Sequence, residues 1–159
     1  MGDASLTTEL GRVLGTGGSG FVGANLVTEL VERGLEVRSF DRVPSPLPGH
    51  PRLEVFEGDI TNSDDVAAAV DDIDTVIHTA AIIDLMGGAS VTQEYRQRSF
   101  AVNVTGTENL VHAAQKAGVK RFVYTASNSV VMGGKRISGG DEILPYTERF
   151  NDLYTETKV

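Results

Sequence analysis

Cysteine is absent from the chain. That excludes a disulfide framework, a thiolate zinc site and a cysteine nucleophile. Positive charge is scarce: 14 Lys and Arg stand against 22 Asp and Glu, for a net charge of −8. A general nucleic-acid surface needs a basic patch to meet phosphates, so no nucleic-acid partner is expected. Long apolar runs are missing as well; none approaches the ~20 residues of a membrane span. The opening stretch MGDASLTTEL has neither the positive start nor the apolar core of a secretion signal. These absences leave a soluble, cytoplasmic protein as the expectation. The histidines His50, His78 and His112 lack close ligand spacing, so no metal site is expected. Gly17-Gly18-Ser19-Gly20 lacks the spacing of a hydrolase nucleophile elbow.

What is present reads as one repeating grammar. Residues 1–10 form a loose arm, and residues 11–159 are long enough for one domain with a genuine core. Arg12-Val13-Leu14 leads into a glycine cluster, and Phe21 to Arg33 then carries apolar residues at helical spacing until Gly34 stops it. Leu35 to Phe40 alternates like a strand and ends at Asp41. Four of the five prolines fall in residues 42–51, which predicts an extended loop rather than a full helix. Leu53 to Phe56 is a third strand, Ser63 to Val70 a short helix, and Thr75 to His78 a fourth strand. A glycine-bearing loop over 82–90 precedes a long helix from Gln93 to Ala117, ended by Gly118. Arg121 to Tyr124 is a fifth strand, followed by a long polar stretch over 126–150. Strands alternating with helices predict an α/β fold: a doubly wound parallel sheet of Rossmann type, in the order 3-2-1-4-5.

The glycine cluster fits two frames, Gly15-x-Gly17-x-x-Gly20 and Gly17-x-x-Gly20-x-x-Gly23. Either one turns the backbone sharply between a strand and a helix whose N-terminus favours an anion. Asp41 lies 18 residues after Gly23 and 24 after Gly17. That matches the spacing of a carboxylate that holds the ribose hydroxyls of a dinucleotide. A carboxylate there repels a 2′-phosphate and favours NAD over NADP, although the neighbouring Arg42 could receive that phosphate.

Chemistry gathers at the other end. Tyr154 and Lys158 are four residues apart, so a helix would project both from one face. An ammonium near a phenol stabilises phenolate and lowers its pKa, which makes the tyrosine a general acid or base toward an alcohol or carbonyl. Ser127 follows the fifth strand, at the carboxyl edge where doubly wound sheets bind ligands, and its hydroxyl could hold the reacting oxygen.

Taken in order, these residues form a recognisable series: Thr16-Gly17-x-x-Gly20-x-x-Gly23, Asp41, Gly58-Asp59-Ile60, His78-Thr79-Ala80-Ala81, Asn103, Ser127 and Tyr154-x-x-x-Lys158. The series resembles the N-terminal part of an extended short-chain dehydrogenase/reductase, from about Arg12 to Val159. Within that superfamily, Phe122-Val123-Tyr124-Thr125-Ala126-Ser127, Tyr95-Arg96-Gln97 and Met132-Gly133-Gly134 resemble actinobacterial 3β-hydroxysteroid dehydrogenases. The resemblance implies NAD-dependent oxidation of a steroid or sterol 3β-hydroxyl to a ketone. It implies that Gly17, Gly20 and Gly23 form the phosphate turn, with Phe21 and Val22 offering backbone N–H groups. Asp41 would hold the adenosine ribose, Asp59 and Ile60 flank the adenine, and Thr79, Ala80 and Ala81 line the cofactor. The implied catalytic set is Ser127, Tyr154, Lys158 and Asn103. In it Tyr154 takes the hydroxyl proton, Lys158 lowers the Tyr154 pKa and binds the nicotinamide ribose, Ser127 orients the substrate oxygen, and Asn103 supports the lysine through a water. A homodimer stays open for the full-length enzyme.

Three departures from the family pattern are Gly15 in place of an apolar strand residue, Ala126 in place of Ser, and Ala81 where many relatives have Gly. Two other readings share the motifs: a sugar-nucleotide epimerase or dehydratase, and a dinucleotide-binding module without catalysis. The family's sixth strand and substrate domain follow the Tyr-x-x-x-Lys helix, so this reading treats the chain as cut just after Lys158. The 159-residue chain alone is therefore expected to bind at most the adenosine half of NAD and to turn over little or nothing. Dehydrogenase activity from the purified chain would refute that.

Overall fold

The computed structural model describes residues 9–83, 91–133 and 136–159. Most of the N-terminal arm, most of the glycine-bearing loop over 82–90, and Gly134 lie outside the described residues. In chain order the elements are β1 (Val13–Thr16), α1 (Phe21–Glu32), β2 (Val37–Asp41), β3 (Leu53–Glu57), α2 (Ser63–Ala69), β4 (Thr75–His78), α3 (Gln93–Phe100), a π-helical turn (Ala101–Thr105), α4 (Gly106–Ala117), β5 (Arg121–Tyr124), α5 (Ser129–Met132) and α6 (Leu153–Lys158). They fall into two compact units. One comprises Met1–Ala80 with Thr105–Thr125, the other Ala81–Val104 with Ala126–Val159.

The first unit holds a five-stranded sheet in the order β3-β2-β1-β4-β5, as the strand and helix alternation predicts. Every pairing is parallel, and Val13 of β1 sits in register with Val37 of β2 and Thr75 of β4. Successive side chains leave a strand on opposite faces. Val13 and Val37 therefore pack with Val27, Leu30 and Val31 of α1 and with Leu35 in one buried cluster. Gly15 has a physical role in this packing. A Cβ there would stand 3.2 Å from Val27 Cγ2, so the glycine lets α1 lie close on β1.

Arg38 overturns simple expectation. It lies mid-strand in β2 and is buried, at 8% exposure. Its guanidinium reaches the C-terminal end of α2, where Nη1 donates to the carbonyls of Ala68, Ala69 and Asp71 at 3.2, 2.9 and 2.9 Å. Its Nε donates to Glu54 Oε2 at 2.9 Å, and Arg12 meets the same carboxylate oxygen at 2.5 Å. A cation thus satisfies the carbonyls that a helix end leaves open, and it complements the negative end of the helix dipole.

In the second unit, α3 starts at Thr92, whose hydroxyl accepts from Tyr95 N, and α6 starts at Asp152, whose carboxylate accepts from Thr155 N at 2.6 Å. Both are ordinary side-chain caps. α6 packs against α3 and α5. The single helix read over 93–117 is interrupted: Ala101–Thr105 opens into a π-turn before the α-helix resumes at Gly106. Asn103 sits at the centre of the π-turn, 2% exposed. Such widened turns often occur at functional sites. Gly118 closes α4 in the left-handed conformation, as read. Among the described residues no helix is long and apolar enough to cross a membrane.

The buried guanidinium is open to test. Arg38→Met leaves carbonyls at the end of α2 without a donor, which costs ~1–3 kcal/mol per stranded buried group. We expect a loss of about 3 kcal/mol of unfolding free energy in urea melts, since water can reach some of those groups.

Candidate functional site

The turn after β1 resolves the ambiguity of frame. Gly15 belongs to the strand; Gly17, Gly20 and Gly23 make the turn and the start of α1. Gly17 has φ +69°, and a Cβ there would lie 2.8 Å from Ala80 N. Any side chain at Gly23 would collide with the Gly17 carbonyl. Gly17 N donates to Phe40 O at 2.9 Å, which ties the exit of β1 to β2. α1 has no side-chain cap, and its first turn has no acidic residue. Its N-terminal N–H groups and positive dipole end are thus available to an anion, with Phe21 and Val22 exposed at that end. These residues fit a pyrophosphate.

Asp41 ends β2 beside the same turn. Its Oδ2 accepts from Ser19 N at 3.0 Å and its Oδ1 from Val43 N at 3.3 Å. The glycine turn therefore aims the carboxylate, and a carboxylate with two oxygens keeps further lone pairs for hydroxyl donors. Asp59 Oδ1 accepts from both Thr61 N and Thr61 Oγ1, and Asp59 N donates to Asp65 Oδ2. Ile60 is buried and its carbonyl accepts from Asn109 Nδ2 at 3.3 Å. Thr79 donates its hydroxyl proton to Thr16 O at 2.6 Å, and Ala80 N donates to Thr16 Oγ1 at 3.3 Å. Ala81, the next residue, opens the second unit. His78 is a buried packing residue, as its place at a strand end suggests. Its Nδ1 shares a 2.7 Å hydrogen bond with Thr16 Oγ1, its Nε2 a 2.9 Å bond with Thr107 Oγ1, and its ring lies against Phe122 and Tyr124.

Ser127, Asn103, Tyr154 and Lys158 all fall in the second unit. Ser127 Oγ accepts from Ser129 N at 3.2 Å and shares a 2.8 Å bond with Ser129 Oγ at the start of α5. Tyr154 and Lys158 lie four residues apart on α6, and Lys158 Nζ stands 5.6 Å from the centroid of the Tyr154 ring. The lowered phenol pKa expected from that lysine is absent. Burial raises the Tyr154 pKa above its ordinary 10.0, and the Asp152 carboxylate adds to the rise. The cation lies over the ring in a cation–π placement, and burial lowers the pKa of the Lys158 ammonium itself.

Several contacts here escape sequence reasoning. Arg96 meets Glu156 in a two-pronged pair, Nη1 to Oε2 at 2.8 Å and Nη2 to Oε1 at 2.5 Å, which ties α3 to α6. The Arg96 guanidinium holds the Glu156 carboxyl below its ordinary 4.5. Sixty residues separate the two, so no local signal marks them. Thr157 hides inside the Tyr-x-x-x-Lys spacing, and its hydroxyl accepts from Asn103 Nδ2 at 2.8 Å. Ser39 Oγ is buried against Gly18 without a hydrogen-bond partner among the described residues. The second unit holds a cavity of about 850 Å³ lined by Met132, Ile137, Leu144, Pro145, Tyr146 and Arg149, among others. That volume is in the range of small-molecule sites.

Comparison with known proteins covers the whole of this arrangement. The 3-beta hydroxysteroid dehydrogenase/isomerase family matches residues 14–159. The chain is 79% identical over all 159 residues to the 3 beta-hydroxysteroid dehydrogenase/Delta 5→4-isomerase of Mycobacterium tuberculosis, and it spans 43% of that protein's length. Among solved structures, a short-chain dehydrogenase/reductase superfamily protein from Agrobacterium tumefaciens with bound NAD is 32% identical with a TM-score of 0.78; the match covers 92% of this chain and 42% of that one. The UDP-glucose 4-epimerase of Thermus thermophilus, in complex with NAD, is 29% identical with a TM-score of 0.76, over 92% of this chain and 47% of that one.

The phenol yields a direct measurement. A group whose folded pKa is raised favours the folded state while protonated. That contribution is complete below the ordinary value of 10.0 and is lost as the pH rises toward the folded value. In an ultraviolet titration of the protein without cofactor, the signal assigned to Tyr154 by difference from Tyr154→Phe is expected to rise with a midpoint above 10.0. A midpoint below it would mean that Lys158 dominates the phenol at rest.

Proposed function

The chain belongs to the 3-beta hydroxysteroid dehydrogenase/isomerase family, and on that premise we propose that the protein oxidises the 3β-hydroxyl of a sterol or steroid to a ketone. The observation that carries this reading is the 79% identity to the M. tuberculosis protein over all 159 residues, a span that includes the glycine turn, Ser127 and the Tyr154–Lys158 helix. NAD, when bound, supplies the hydride acceptor. The glycine turn and the open end of α1 hold its pyrophosphate, and Asp41 holds the adenosine ribose and disfavours a 2′-phosphate. Asp59, Ile60, Thr79, Ala80 and Ala81 border it mainly through backbone, because the Thr79 hydroxyl proton is committed to Thr16 and Ile60 is buried.

In the second unit, Ser127 holds the substrate oxygen and Tyr154 takes the hydroxyl proton at its phenol oxygen. Lys158 contributes positive charge and ribose contacts, and Asn103 positions. The cavity beside α5 offers Met132, Ile137 and Leu144 to an apolar substrate. In this reading residues 11–159 are the cofactor-binding part of an enzyme of the relatives' length. A sugar-nucleotide substrate is the second reading, favoured by the likeness to the NAD-bound UDP-glucose 4-epimerase.

One assay separates the two. The full-length protein is offered NAD with a 3β-hydroxysterol or with UDP-glucose, and NADH is read at 340 nm on the first and epimer formation on the second. Sterol-dependent NADH is expected, with no sugar conversion; the reverse pattern sinks the sterol reading. Tyr154→Phe should lower sterol turnover about 10²–10⁴-fold, the usual worth of a positioned general base.

A further inference from the structure

Thr157 lies between Tyr154 and Lys158 in sequence, yet the proton chemistry proposed above makes no use of it. Its side chain is buried, at 5% exposure. The hydroxyl makes two hydrogen bonds: it accepts from Asn103 Nδ2 at 2.8 Å and donates to the Tyr154 carbonyl at 2.9 Å. Asn103 is buried too. Its Oδ1 accepts from Ile82 N at 2.7 Å, and its Nδ2 donates a second hydrogen to Ile82 O at 2.9 Å. Both hydrogens of the Asn103 amide are thereby spent, one on Ile82 and one on Thr157.

The result is a buried relay of hydrogen bonds from the Ile82 backbone through Asn103 and Thr157 to the peptide carbonyl of Tyr154. α6 is tied to the rest of its unit at two places. The Arg96–Glu156 pair grips it on a partly exposed side, where ion pairs are screened and loosely placed. The relay grips it inside, at the carbonyl of the residue that bears the reacting phenol.

We infer that Thr157 is a positioning residue, whose hydroxyl fixes the rotation of α6 and with it the placement of the Tyr154 phenol. This rests on the reading of Tyr154 as proton acceptor. Valine matches threonine in shape but not in hydrogen bonding, so T157V removes the acceptor from Asn103 and the donor from Tyr154. Serine keeps both.

The test uses the full-length protein with T157V, T157A and T157S, assayed with NAD and a 3β-hydroxysterol. T157V and T157A are expected to lose kcat roughly 10–100-fold with little change in KM, since ~1 Å of misplacement costs up to 10² in rate. T157S is expected to restore kcat nearly to that of the parent. A ¹³C-labelled Tyr154 ring signal, assigned by its loss in Tyr154→Phe, should move in T157V and stay in place in T157S. Parental kcat with an unmoved ring signal in T157V overturns the inference. So does a kcat in T157S as low as in T157A, which also decides the matter if T157V does not fold. Should the parent oxidise no sterol, the function proposed above fails by itself, and the ring signal alone decides the role of Thr157.

Discussion

The chain leaves β1 between two parallel neighbours with no room for a side chain, and the first unit depends on that passage. At Gly17 the backbone takes a positive φ and passes within a Cβ radius of the Ala80 peptide. At Gly18 a side chain would strike Ser39 on β2. Because the passage is this tight, Gly17 N can still bond Phe40 O, and the neighbouring Ser19 N reaches Asp41. The same closeness lets Thr16 receive both Thr79 and Ala80 from the end of β4. One steric condition therefore sets three things: an uncapped helix end, an aimed Asp41 carboxylate and a pinned β4 exit. An alanine at Gly17 would disturb all of them together.

The second unit is held by different physics. Among its described residues, polar ties at long range join the helices. Asp152 caps α6, Arg96 and Glu156 join it to α3, and Asn103 reaches both Ile82 and Thr157. The exposed pair adds little stability, because screening and side-chain entropy offset most of its attraction. Its value lies in direction, since a planar guanidinium meets a carboxylate in one geometry. The buried amide acts more strongly. Every atom it leaves unpaired is out of reach of water, so the native arrangement has few competitors.

That contrast explains what could be read from sequence. The strand order, the second glycine frame, Asp41 and the Tyr154–Lys158 spacing are all local patterns, and each appears in the structure where its period or spacing places it. Gly15, odd as a strand residue, becomes legible only against Val27. The misses are tertiary. Alternation reads Arg38 as an ordinary strand residue, whereas the carbonyls of α2 and the Glu54 carboxylate converge on it from elsewhere in the chain. The π-turn cannot be seen in the apolar period of residues 93–117, because it accompanies a side chain bonded to Ile82 and Thr157. Arg96 and Glu156 meet across sixty residues, for which helical spacing has no rule.

The phenol shows where motif reasoning needs its environment. A lysine four residues on argues for a lowered Tyr154 pKa, and the structure raises it. Burial penalises a charge of either sign, so the same surroundings that keep the phenol protonated also draw the Lys158 ammonium toward neutrality. Those surroundings strengthen attraction between opposite charges once both are present, because Coulomb energy grows as the effective dielectric falls. At rest, then, the pair resists ionising the phenol. When a further positive charge enters, the balance tips toward phenolate more steeply than it would in water.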